Sequence, residues 1–173
     1  VSFALGVPHT PWVPKRVESM RRLTRALHLV DNPDEPTRGP TWSNDNPPAI
    51  VYGVGLRYFT DRAPYDVWSG QMWRWGVETG ATHFLTLQDD AMVAPNFWPA
   101  LRGMVEAVPG QLIGLESVHQ LSLACPGRWY TTSEGLIGVG YVVPVPMLRA
   151  FLEWRSGSLC KGGVESVTED TLL

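Results

Sequence analysis

Hydrophobic and polar positions along this chain fall into two periods, and the switches between them mark out its elements. VSFALGV (Val1–Val7) is an apolar run whose length and β-branching predict a buried strand. PHTPW then reads as a turn, and Pro14 suits the first turn of a helix. Val17, Met20, Leu23, Leu27 and Val30 give that helix an apolar stripe. Residues 31–48 carry five of the 15 prolines and no periodicity, which predicts a long loop. Ala49–Phe59 reads as a second strand, and Pro64 opens a helix with Trp68, Met72 and Trp75 on one face and Gly80 as its stop. Thr82–Leu87 is the third strand. Phe97, Leu101, Met104, Val105 and Val108 form the next amphipathic helix, closed by Pro109-Gly110. Gln111–Leu115 and Gly138–Pro144 are further strands, Pro146–Trp154 is a helix, and Ser166 to Glu169 has capping-box spacing for one more.

This alternation of strand and helix predicts an α/β fold with a mostly parallel central sheet covered by helices. With 173 residues and no internal repeat, residues 1–173 are expected to form a single domain. The hydrophobic share of 44% and charged share of 18% suit a globular protein and exclude disorder. A net charge of −3 gives no general attraction to nucleic acid or anionic membrane. Lys15, Arg16, Arg21, Arg22 and Arg25 nevertheless crowd the first helix. Cys125 and Cys160 match no zinc spacing and make no disulfide framework, so two reduced thiols and a cytoplasmic location are expected. No apolar run reaches the roughly 20 residues of a membrane span, and no signal peptide is visible. Val1 begins directly in a strand and Leu173 stops in a helix, as in a fragment of a longer protein.

Gln88, Asp89 and Asp90 end the third strand, and ligand crevices of open parallel sheets lie beyond the carboxyl ends of strands. Two like charges about 5 Å apart cost roughly 3 kcal/mol at an effective dielectric of about 20. A hard divalent cation with oxygen ligands would relieve that repulsion. The alternative is a solvated Asx turn leading into the next helix.

LTLQDDAMVAPNFWPAL resembles the metal-binding segment of nucleotide-sugar glycosyltransferases of the GT-A type, family-2-like, whose strand ends in a DxD-like motif before an aromatic residue and a helix. VPHTPWVPKR resembles their nucleotide-binding turn, GLIGVGYVVPVPMLRAFLEW their glycine-rich acceptor-side segment, and VTEDTLL their late acidic motif. The resemblance implies a single Rossmann-like domain that moves a sugar from a UDP- or GDP-linked donor to a hydroxyl, with Mn²⁺ or Mg²⁺. It further implies that Asp90 is the direct metal ligand, with Asp89, the middle residue of the motif, and Gln88 positioning the ion or the donor's ribose. Gln88 departs from the pattern, offering an amide rather than a second charge. Pro8, His9, Thr10 and Arg16 fall where such enzymes hold base and diphosphate. Arg16 offers a bidentate fork for phosphate, or is one more member of a solvated basic face. Asp61 stands ready to bond the nucleobase or to cap a turn. Trp129 and Tyr130 suit stacking on a sugar, or core packing, and Gly138 lies in the acceptor-side segment.

Asp170 is the candidate general base and Glu169 the second, since a capping box from Ser166 would occupy Glu169. Both acids otherwise simply favour the positive end of a helix. The implied acceptor is open among glycan, small molecule, protein and modified nucleic acid, and the late acidic pair favours inversion. Trp68, Trp73, Trp75 and Trp98 read as packing or surface-anchoring residues, and His83 as a satisfied core histidine. Two competing functions stand beside transfer. A sugar nucleotidyltransferase would carry a glycine-rich phosphate loop after the first strand, and VPHTPW has no glycine in that turn. A non-catalytic nucleotide-sugar-binding module is favoured by Gln88.

Overall fold

The computed structural model of the chain describes residues 1–27, 54–60, 64–115 and 140–159. Strand β1 (Phe3–His9) lies inside the sheet, and its two faces feed two separate apolar layers. Phe3, Leu5 and Val7 join Met20, Leu23 and Leu27 with Trp98, Leu101 and Val105. Those partners come from or adjoin helices α1 (Pro14–Ala26) and α3 (Phe97–Ala107). Ala4 instead joins Phe59, Met72, Trp73, Phe84, Tyr141, Val143, Val145 and Leu148. Here the helices are α2 (Tyr65–Glu78) and α4 (Val145–Leu159). The period-two alternation of one strand therefore dictates three layers, with helices on both faces of the sheet.

The sheet order is β2-β1-β3-β5-β4. β2 (Val54–Thr60) and β3 (His83–Leu87) both run parallel to β1. β5 (Gly140–Pro144) is antiparallel to β3, and β4 (Ile113–Gly114) is antiparallel to β5. β4 thus points the same way as β1, β2 and β3, and β5 is the reversed strand. The expectation of a mostly parallel sheet holds, as does the α/β class. Periodicity locates a strand but carries no information on its direction, so the reversal of β5 was not legible.

β1 extends two residues past the expected Val7. Pro8 has no N–H to give a ladder, but the pairing with β3 runs only from Phe3↔His83 to Gly6↔Thr86, and Pro8 lies beyond it. The strand continues against β2, with Pro8↔Phe59 and His9↔Thr60. His9 is therefore a strand residue, held by the sheet rather than by a turn.

Close approach of α2 to the sheet explains two glycines. A Cβ on Gly76 would stand 2.4 Å from Cδ2 of Phe84, and one on Gly6 would stand 2.6 Å from Cγ of Met72. Trp73 donates its Nε1–H to the Tyr141 hydroxyl at 2.8 Å, so the buried indole and phenol satisfy each other. Trp73 and Trp98 are buried, and Trp68 and Trp75 pack against the α2 side of the core. All four are packing residues, the first of the two expected roles. His83 is half-buried at the start of β3, with Nδ1 2.9 Å from Oγ1 of Thr82.

Candidate active site

The chain runs from β1 to β2 on one side and then crosses to β3 on the other side of β1. That makes the carboxyl ends of β1 and β3 a topological switch point, where successive connections leave in opposite directions and open a crevice. The β1–β3 register offsets partners by 80 residues, as in Phe3↔His83. Continued to the strand ends, the same offset sets His9 against Asp89.

Nδ1 of His9 lies 2.7 Å from Oδ2 of Asp89. An ionised carboxylate only accepts, so Nδ1 carries the proton in this contact and donates it. The backbone N–H of Thr10 donates to the same oxygen at 3.1 Å. Nε of Arg16, from the first turn of α1, lies 2.8 Å from Oδ1 of Asp89. This is a charge contact without hydrogen-bond alignment, and Oδ1 accepts no hydrogen bond among the described residues. Arg16 also donates through Nη1 to Oδ2 of Asp90.

The two acids differ in environment. The Asp89 side chain is 0% exposed, that of Asp90 is 45% exposed, and Arg16 is intermediate at 32%. A buried carboxylate is tolerable only when paired and hydrogen-bonded, and His9, Thr10 and Arg16 supply that for Asp89. The repulsion between the acids is relieved here by Arg16, which touches both. The rest of the basic cluster, Lys15, Arg21, Arg22 and Arg25, is exposed. Arg21 and Arg22 contact Glu18 and Ser19 on their own helix, at 3.8 Å and 3.0 Å. Of the five basic residues, Arg16 is the one turned into the site.

Pro8, His9, Thr10, Arg16, Gln88, Asp89 and Asp90 thus come together across sequence separations of up to about 80 residues. Asp61, Trp129, Tyr130, Gly138, Glu169 and Asp170 lie outside the described residues, as do Cys125, Cys160 and the Ser166 capping box. The bridge made by Arg16 was missed from the sequence. The available signal was the single arginine one helical turn after the β1 turn, opposite an acidic pair that needed a cation.

Among the described residues no group of three or more His, Cys, Asp or Glu side chains is arranged to hold a metal ion. Asp90 is the carboxylate with a solvent-facing side. Magnesium-like ions commonly bind through one or two carboxylates and complete their shell with water and substrate phosphates, so Asp90 fits such an ion when a diphosphate is present. Asp89 fits an inner supporting role.

No protein-family model matches the chain, and no curated protein matches it. Among solved structures, the crystal structure of S. aureus TarS 1–349 matches 87% of this chain at a TM-score of 0.45 and 12% identity. The chain covers 49% of that TarS structure, about half its length. At that overlap the likeness has no weight for activity, which has to be read from the side chains at the switch point. No helix among the described residues is long and apolar enough to cross a membrane.

Proposed function

We propose that the chain is a glycosyltransferase that moves a sugar from a nucleotide-diphosphate donor, UDP- or GDP-linked, to an acceptor hydroxyl with inversion. The observation that supports this reading best is the convergence of His9, Thr10, Arg16, Asp89 and Asp90 at the β1/β3 switch point. It combines a basic fork, an exposed carboxylate and a rigid base in the crevice where α/β sheets take ligands.

In this proposal His9 and the Thr10 N–H hold Asp89 fixed, and Asp89 in turn fixes the strand end that carries Asp90. Asp90 would hold Mn²⁺ or Mg²⁺ together with the donor's phosphates. When bound, that ion supplies Lewis-acid stabilisation of the charge that grows on the leaving diphosphate. Arg16 adds a guanidinium to the same anion. Gln88 and Pro8 would line the ribose side, and Asp61 the nucleobase. Asp170, or Glu169 in second place, would take the proton from the acceptor hydroxyl as its oxygen attacks the anomeric carbon. The bond from that carbon to the diphosphate oxygen breaks on the opposite face. Trp129, Tyr130 and Gly138 would shape the acceptor side.

Calorimetric titration of the full chain with UDP- and GDP-sugars, with and without Mn²⁺, tests this reading. We expect metal-dependent binding accompanied by slow release of free sugar and nucleoside diphosphate. Binding with no release would overturn transfer in favour of a binding module. Turnover of a sugar phosphate with a nucleoside triphosphate would overturn it in favour of a nucleotidyltransferase.

A further inference from the structure

We propose that Arg16 is an exchangeable counter-ion. It pairs with Asp90 in this structure and passes to the diphosphate when a nucleotide binds, so that nucleotide and divalent cation bind cooperatively. The proposal rests on the glycosyl-transfer reading and adds to it a rule for how the site fills.

The cluster has a fixed half and a loosely held half. Asp89 is fully buried, and its Oδ2 is fastened by the His9 ring and the Thr10 N–H. Neither partner is a long mobile side chain, since His9 is nine-tenths buried in the sheet and Thr10 contributes backbone. Arg16 and Asp90 form the other half, at 32% and 45% exposure. A guanidinium binds best when two parallel N–H groups meet one oxyanion. Arg16 does not have that arrangement. Its fork is split between two carboxylates, Nε toward Asp89 and Nη1 toward Asp90. The Nε contact is unaligned, and the buried Oδ1 of Asp89 is left without a hydrogen bond among the described residues. A diphosphate offers the geometry that these two carboxylates withhold.

Charge then links the two ligands. While Arg16 sits on Asp90, a divalent cation approaching that carboxylate meets a positive group already in place. Once a diphosphate draws Arg16 away, Asp90 is bare and the phosphates add further oxygen ligands. Nucleotide therefore raises cation affinity, and by linkage cation raises nucleotide affinity by the same factor.

Mn²⁺ binding to the full chain, followed by electron paramagnetic resonance of the free ion, tests this with the wild type, Arg16→Gln and Arg16→Lys. Titrations are run alone, with UDP and with GDP, and are corrected for the metal that each nucleotide binds without protein. Circular dichroism establishes that each variant is folded. We expect wild-type affinity for Mn²⁺ to rise about tenfold or more with UDP or GDP. In Arg16→Gln, affinity for Mn²⁺ alone should rise and the nucleotide effect should shrink to the part that the phosphates' own oxygen ligands supply. Arg16→Lys keeps a point charge without the fork and should move the same way by less, which preserves the test if the glutamine variant does not fold. An unchanged nucleotide effect in both variants, or tight wild-type Mn²⁺ binding indifferent to nucleotide, would overturn the exchange while leaving the transferase reading intact. Absence of Mn²⁺ binding by the folded wild type under all three conditions would remove the metal-assisted reading and the exchange with it.

Discussion

At the end of β3 the backbone turns Asp89 inward and leaves Asp90 facing solvent, and this one-residue difference separates folding from function. Asp89→Ala strips the partner from His9, Thr10 N–H and Arg16 together. Breaking a buried pair in this way costs about 3–5 kcal/mol, and urea denaturation should register a loss of that size. Asp90→Ala removes only a half-exposed pair, worth about 1 kcal/mol or less. The same denaturation should leave Asp90→Ala near wild type while sugar transfer is abolished. Transfer surviving in a folded Asp90→Ala protein would refute the role given to that carboxylate. The acidic pair was legible in sequence because it ends an apolar run. What relieves the pair was not, because Arg16 lies more than 70 positions away and meets it only through the parallel register of β1 and β3.

At the scale of elements, the approach of α2 to the sheet is set by Gly76 over the Phe84 ring. Gly76→Ala puts a methyl group inside the contact distance of Cδ2. Overpacking of this kind costs about 1–3 kcal/mol, although alanine favours the helix, and thermal melting should show the net loss. On the opposite face Leu101 is fully buried between α3 and the sheet. Leu101→Ala should lower stability by about 2–5 kcal/mol in the same measurement. Helix stripes made these elements legible: Met20, Leu23, Leu101 and Val105 all lie in the core as their spacing implied. Strand ends were less so. Pro8 reads as the start of a turn on local grounds, yet β2 continues beside it, and pairing between strands more than 50 residues apart outweighs a missing N–H at the sheet margin. The reversal of β5 was hidden for a related reason, since Tyr141, Val142 and Val143 alternate identically in either direction.

At the scale of the whole molecule, stability among the described residues depends on pH through His83, whose pKa is lowered by burial. The unfolded chain therefore binds a proton here more readily than the folded one. Stability contributed by this group is intact above the ordinary histidine value of 6.5, declines as pH falls through it, and levels off below the lowered folded value. His83→Asn should flatten that part of a stability profile recorded by chemical denaturation between neutral and mildly acidic pH. The α/β class was legible at this scale from the order of strands and helices alone. The location of the crevice needed the sheet order, because only the crossing from β2 past β1 to β3 makes a switch point of the two strand ends.

Crystals of the full chain soaked with Mn²⁺ and either UDP or GDP address the central claim most directly, through anomalous scattering at the manganese edge. We expect an anomalous peak coordinated by Asp90 and the diphosphate, with Asp89 still on His9 and the guanidinium of Arg16 on phosphate. Manganese and nucleotide absent from the β1/β3 crevice, with Asp90 still paired to Arg16, would contradict it.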